Sequence, residues 1–527
     1  MLANFYQKNI IEKPKLVISI LLLILITAFY FSKEFRLDAS SETLLLEDDQ
    51  DLKYLNEIND RYGAKEFLVL TYSPLGKMNS EETIKNLSLL KNDLKNLNWV
   101  HNVITLLDIP LLETTNESLV KRIQNFKTLE SDDIDKEKGF NEILNSPVFR
   151  NFVISEDGTT SGIIVYIKPN KEEIKNKSKK EIEIFKDKIK KERHQNILEI
   201  REVIKKYNQD TQIFLGGIPM IADDMMTFIK NDIVVFGGGV FLFIVLTLWF
   251  VFKNILWVVI PLLSCFFSVF IMIGFLGLVG WKVTVISSNF IALMLILTMA
   301  MNIHMSVRYL QYRNDNPDVS NADALLWTSQ KMFWPILYTV LTTICAFLSL
   351  IFSDIKPIID FGWMMTLGLL VSIIVTFTLL PSLLNIFANE NEINVKDNEK
   401  SIITSLLASI AKKNKILIFF PTIIVIFLSI FGISKLEVEN SFINYFDKKT
   451  EIYKGMKLID EKLGGTTPLE VILKFPKQDE VEQKSDDDVD DWGDEGDDDE
   501  KYWFTKDKID KIKKVHNYLD SLEPIGK

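Results

Sequence analysis

Thr284, Ser288, Thr298, Asn302 and Ser306 interrupt an otherwise apolar stretch. At about 100° per residue they fall within about 80° of one another, on one face of a helix. Such a stripe can line a polar path, or it can tie helices together by hydrogen bonds, the usual employment of Ser, Thr and Asn in apolar bundles. Asn289 lies outside the stripe. His304 projects about 160° from Ser288 on the same helix. An imidazole titrates near about pH 6.5 and suits a proton relay. Its place within a turn of Arg308 equally suits a structural role at a membrane boundary.

Other chemistries find little footing. No nucleophile, base and orienter occur together, and four dispersed histidines make no metal cluster. No G-x-x-x-x-G-K-[ST] phosphate loop is present, so an ATP-driven pump would need one on a partner. The sequence therefore predicts no enzyme, no cofactor, no metal and no nucleic-acid partner. The run SDDDVDDWGDEGDDDE invites a calcium reading through Asp488, Asp490 and Gly493, but Trp492 occupies a ligand position. A solvated insertion over 478–500 is the expectation. Those residues carry fourteen acids and one lysine, so removing them turns a formal charge of -11 into +2 for the remainder. Cys265 and Cys345 both lie in apolar runs, which argues against a disulfide framework.

The elements that must position the stripe are apolar spans long enough for a bilayer. Five follow in close succession within 231–385, at about 233–252, 255–279, 283–307, 333–353 and 358–380, the last expected to stop at Pro381. Residues 1–32 read as a cytoplasmic N-terminus and an uncleaved anchor helix. A linker, 386–415, and a seventh span, 416–434, follow. Gly237, Gly238 and Gly239 are expected to let the second span bend or pack closely beside a neighbour, packing being the favoured reading.

Between the anchor and the five spans, 33–230 has soluble-domain patterning. EFLVLTY reads as a strand, Glu81 to Leu97 as an amphipathic helix, WVHNVITL as a strand, NFVISEDGTTSGIIVYIK as a hairpin turning at Asp157-Gly158, then a long charged helix to Tyr207 and the strand QIFLGG. Two βαβ-like halves on one sheet predict a ferredoxin-like, split βαβ, α+β domain. Basic residues in the short turns concentrate on one side of the spans, which places the N-terminus inside and 33–230 outside the cytoplasm. Arg308 and Arg313 act there as orientation anchors. Charges near Pro357, namely Asp354, Lys356 and Asp360, read as solvated turn residues.

The pattern then restarts. Phe35 to Pro74 lies over Ser434 to Pro476, with Ile58 opposite Ile459 and Gly63 opposite Gly464, and Ser80 to Asn102 lies over Thr505 to Lys527, with Leu94 opposite Leu519. The fold expected is thus an α-helical membrane bundle with an inserted extracytoplasmic α+β domain, internally duplicated, the second copy (435–527) incomplete. A missing second half or a homologous partner chain is expected to complete it.

One span, a large external domain, five clustered spans and the same plan again resembles the resistance-nodulation-division (RND) exporters, and within them the MMPL branch. The stretch Thr339 to Leu384 is similar to a pattern shared with sterol-sensing domains, carried here by Thr342, Thr343, Ser353, Pro357, Ile358, Phe361, Gly362, Leu380, Pro381, Leu383 and Leu384. The resemblance implies an inner-membrane secondary exporter of hydrophobic or lipid-like molecules, driven by protons, with membrane lipid and a lipidic substrate as partners. It also implies an aspartate in the fourth span. Aligned on His304 and Arg308, that position is Ala300 and the neighbouring tyrosine position is Met301. Asn302 lies two residues on, and an amide exchanges no proton near neutral pH. Ser288, Asn289, Thr298, Asn302 and His304 remain the candidates for transport or coupling. The rival expectation is a non-pumping, sterol-sensing-like lipid binder or scaffold, or a nonfunctional fragment.

Overall fold

The computed structural model describes residues 2–38, 50–62, 66–114, 126–169, 178–388, 402–413, 415–436, 442–466, 471–475 and 505–522. The acidic insertion 478–500 and, within the 386–415 linker, residues 389–401 and 414 lie outside the described residues. Two compact units divide the chain, Met1–Gly63 with Ala222–Val438 and Ala64–Ile221 with Glu439–Lys527.

In chain order, a short helix (Leu2–Tyr6) and a π-type turn (Gln7–Ile11) lead into α1 (Pro14–Phe31), and α2 (Gln50–Tyr62) follows. Then come β1 (Phe67–Pro74), α3 (Glu81–Lys95), β2 (Val100–Ile104), α4 (Lys136–Leu144), β3 (Ser161–Ile167), α5 (Lys179–Tyr207) and β4 (Thr211–Gly216). Five long helices succeed them: α6 (Ile218–Phe252), α7 (Leu256–Val279), α8 (Phe290–Asp315), α9 (Asn321–Leu348) and α10 (Lys356–Phe387). The last described helices are α11 (Ile402–Lys413), α12 (Lys415–Ile433), α13 (Glu451–Lys462) and α14 (Lys506–Asp520).

The sheet runs β2-β3-β1-β4 with every neighbouring pair antiparallel. β1 and β2 both oppose β3, so they are parallel to each other with β3 between them, and α3 is their crossover. α5 makes the same crossover from β3 to β4 around β1. Sequence chemistry explains the helices: Ser80 Oγ caps α3 by accepting from Thr83 N at 3.2 Å, and a reciprocal Ser178–Glu181 box starts α5. α3 then buries Ile84, Leu87, Leu90 and Leu94 on the spacing the sequence predicts.

The expected hairpin at Asp157-Gly158 is narrower than its sequence suggests. Its first arm meets β3 only through the Ile154–Ser161 bridge. Both sides of the bridge lose a donor a ladder would use, since Ser155 Oγ accepts from Thr160 N at 2.9 Å on the turn side and the Phe149 carbonyl accepts from Val153 N at 2.9 Å on the other.

α13, which the sequence assigns to a second domain, belongs to the same compact unit as this sheet. Its apolar stripe, Ile452, Met456 and Ile459, is buried, and two glycines let it approach β4 closely. A Cβ on Gly216 would lie 2.7 Å from Ile459 Cδ1, and one on Gly455 would lie 3.0 Å from the Leu215 carbonyl. Arg201 pairs with Glu451 at 3.3 Å and Lys462 with Asp157. The Lys462 ammonium, helped by Ser155 and Thr159, holds the Asp157 carboxyl well below the usual carboxylate range.

Among the described residues six helices are long and apolar enough to cross a membrane: Pro14–Glu34, Ile218–Phe252, Leu256–Val279, Ser287–Asp315, Asn321–Phe352 and Lys356–Phe387, with a shorter apolar helix at Ile418–Ile433. α10 is buried most deeply, with α7 and α8 next. α1 presses on α7 where glycines remove the side chain, because a Cβ on Gly274 would come within 2.4 Å of Ala28 Cα and one on Gly277 within 2.1 Å of the Phe31 carbonyl. By contrast, a Cβ at Gly237, Gly238 or Gly239 meets nothing within 4 Å, so the expected close packing of that glycine run is not found.

Pro381 does not stop the last helix either, and α10 continues to Phe387. A proline withdraws the N–H that would bind the carbonyl four residues earlier. Here Tyr6 Oη donates to that carbonyl, on Phe377, at 2.7 Å, which replaces the lost bond.

Candidate functional site

The stripe resolves into two groups. Thr284 and Ser288 precede α8 in a buried turn, where Ser288 N donates to the Thr284 carbonyl at 2.9 Å and the 3-10 turn Ser287–Asn289 runs on into the helix. Thr284 N donates to Ser287 Oγ at 2.7 Å and Ser287 N to Thr284 Oγ1 at 3.4 Å, a reciprocal turn that opens into α8. Ser288 Oγ donates to the Val285 carbonyl at 2.8 Å. Asn289, in the same turn, is exposed.

Thr298, Asn302 and Ser306 are fully buried on the inner face of α8. Asn302 is the hub. Its Oδ1 accepts from Ser264 Oγ on α7 at 3.2 Å and from Thr376 Oγ1 on α10 at 3.0 Å. Its Nδ2 donates to the Pro261 carbonyl at 3.2 Å and lies 3.6 Å from Cys265 Sγ. One turn away, Thr298 Oγ1 and Ser372 Oγ are 2.7 Å apart. Three helices are thus joined through one carboxamide and four hydroxyls, and each of these five groups has its partner inside the bundle. Ser306 Oγ is buried without a hydrogen-bond partner among the described residues.

The cross-helix partners Ser264, Ser372 and Thr376 are absent from the sequence reading. A signal for them exists: Ser264 and Ser268, Thr298 and Asn302, and Ser372 and Thr376 each stand four residues apart, one small polar pair per span. What the sequence lacks is the register that lays the three pairs side by side.

His304 is on the opposite side of α8 and exposed, as its projection implies. Ala300 and Arg308, four residues before and after, are exposed too, so the three positions form an outer face. Arg308 donates to Gln311 at 3.3 Å and its guanidinium sits 5.2 Å from the Trp327 ring, which stacks on Tyr312 at 3.9 Å. Arg313 is no surface anchor. It is 6% exposed and donates to the Val319 carbonyl in the turn between α8 and α9.

The positions that carry the family resemblance serve the helices themselves. Thr342 and Thr343 return their hydroxyls to their own helix, on the Tyr338 and Thr339 carbonyls. Ser353 Oγ accepts from Ile355 N at 3.2 Å ahead of α10, and Pro357 occupies its first turn. Phe361 meets Phe347 edge-on at 5.6 Å. Gly362 leaves room for the Phe347 carbonyl, which an added Cβ would approach to 2.6 Å. Of the turn charges, Asp360 accepts from Trp281 Nε1 at 3.2 Å, and at the same end Lys282 pairs with the buried Asp38 at 3.2 Å.

A bundle of membrane-length helices tied by a neutral polar seam, with a folded α+β domain inserted after the first of them, defines a multi-pass membrane protein. The model of the MMPL family matches residues 79–410, well over half of the chain, and the protein belongs to that family within the RND superfamily. No curated protein matches it.

Proposed function

We propose that the protein is a transporter of hydrophobic or lipid-like molecules, exporting them from the inner membrane by secondary active transport. The observation that carries this reading is the insertion of a packed α+β domain between α1 and α6 of an MMPL bundle, a head that can receive what the bundle releases. The excess of Lys and Arg in turns at the N-terminal end of α1 supports a cytoplasmic N-terminus and an extracytoplasmic head. The split βαβ strand order supports a ferredoxin-like head, and the likeness of α13 to α2 supports duplication. α12 then serves as a seventh span. The outer face of α8, with Ala300, His304 and Arg308, is the surface a second bundle would meet, and His304 is the titratable group it would bring to that contact.

A second reading rests on one observation. The buried hub is an amide and Ala300 stands where the resemblance asks for an acid, so a bundle without coupling would bind lipid or scaffold an assembly without pumping. Proteoliposomes containing the full chain and a fluorescent phospholipid analogue separate the two. Transfer that rises with an imposed proton gradient and falls in His304→Ala supports transport. Binding of the analogue with no gradient-dependent transfer supports the scaffold.

A further inference from the structure

At the end of the bundle where α1 begins and α10 ends lies an open cavity of about 430 Å³. That is within the roughly 300–1,000 Å³ of small-molecule sites. Its floor is Phe267 on α7 with Leu379 and Leu383 on α10, exposed by 9%, 1% and 7%. Its mouth is open, with Ile386 and Phe387 exposed by 38% and 56%. The far wall exists only because α10 runs on past Pro381. Every lining side chain is hydrocarbon except one: Lys15, in the first turn of α1, stands at the rim.

Hydrocarbon walls at the surface of a membrane-length bundle disfavour a water-soluble ligand and suit an alkyl chain. The Lys15 ammonium makes no ion pair with a carboxylate among the described residues, and it is exposed on a flexible stem that reaches the interface from an apolar base. Lys13 adds a second exposed cation two residues earlier, against the single acid Glu12. We propose that this cavity seats one acyl chain of an anionic phospholipid, with the lipid phosphate held at Lys15. The zwitterionic lipid that would fill any groove has the chain but carries its own cation beside the phosphate. The site stands whether or not the protein transports, because it requires only that the bundle be folded in a bilayer.

The test uses the full chain, solubilised in mild detergent from membranes of measured phosphatidylethanolamine and phosphatidylglycerol content, with retained lipid quantified by mass spectrometry. Retained phosphatidylglycerol should be enriched about fivefold over the bulk, the equivalent of about 1 kcal/mol for one basic residue at the surface. Lys15→Gln should return the ratio to that of the bulk, whereas Arg308→Gln, at the same end but outside the cavity, should leave the enrichment intact. Photo-crosslinking from p-benzoylphenylalanine at position 386 should add the mass of a phospholipid. A wild-type ratio equal to the bulk, or one that Lys15→Gln does not move, would leave only unselective annular lipid and overturn the proposal. So would an adduct with a peptide of this chain, such as the amphipathic α11.

Discussion

The Tyr6 hydroxyl and the Phe377 carbonyl, 371 residues apart, make a 2.7 Å hydrogen bond that exists because Pro381 gives α10 no N–H to offer. Tyr6 Oη also lies 3.0 Å from Ser329 Oγ, so the N-terminal segment is fastened to α9 and α10 together. Removing the hydroxyl in Tyr6→Phe leaves a buried carbonyl unpaired and should cost about 1–2 kcal/mol. In a Pro381→Ala background the restored N–H claims the Phe377 carbonyl, and the same change should cost less than half as much. Thermal unfolding in detergent of the two single variants and the double variant checks this. Equal costs in both backgrounds would mean that the bond does not compensate for the proline.

The Asn302 hub and the His304 face make opposite predictions. Asn302→Ala strands the hydroxyls of Ser264 and Thr376 in a dry interior, and the expected loss is about 1–2 kcal/mol, since hydrogen bonds within membrane bundles are individually modest. His304→Ala, on an exposed face, should change stability by no more than about 0.5 kcal/mol. A thermal shift series in detergent distinguishes them. Comparable losses in both would place His304 in the packed core as well.

How much of this is legible in the sequence follows from the range of the interactions. Spans, crossover helices and strands rest on local periodicity, and α3 buries Ile84, Leu87, Leu90 and Leu94 as that periodicity predicts. The inner polar face of α8 is legible at Thr298, Asn302 and Ser306 for the same reason. Thr284 and Ser288 are buried as well, but their hydroxyls bond within their own turn and not across to other helices. Ser264, Ser372 and Thr376 become partners of that face only through helix register, which no single span encodes. Pro381 reads as a stop because its remedy, Tyr6, lies at the other end of the chain. The docking of α13 on β4 stays hidden for a similar reason, since a helix stripe announces that it will be buried but not against which sheet.

The glycines separate packing from mere composition. Gly274→Leu drives a side chain into the backbone of α1, where even a Cβ would fall 2.4 Å from Ala28 Cα, and the helices must part. The expected loss is at least about 3 kcal/mol, read as failure to recover folded protein in detergent. Gly238→Ala meets open space and improves helix propensity, so it should be neutral or stabilising by up to about 1 kcal/mol. A severe defect in Gly238→Ala would instead reveal a close neighbour at that face in the membrane.

Asp157 and Lys462 give α13 its acid sensitivity. The folded carboxyl titrates below its ordinary value because the Lys462 ammonium, and then Ser155 and Thr159, favour the charged form. A depressed folded pKa contributes stability that is fully present above the unfolded value of about 3.9 and is lost as pH falls through the folded one. Both side chains are more than a third exposed, so solvent screening reduces the contribution to no more than about 0.5 kcal/mol. Hydrogen exchange in α13, divided by the intrinsic amide rate at each pH, should therefore be flat from neutral pH to about pH 4 and accelerate below it, at first by about twofold. Asp157→Asn should show the faster rate already at pH 7 and lose that acid-dependent step. If the wild-type protein and the Asp157→Asn variant kept the same exchange profile across the whole range, the ion pair would not be what holds this end of α13 to its turn.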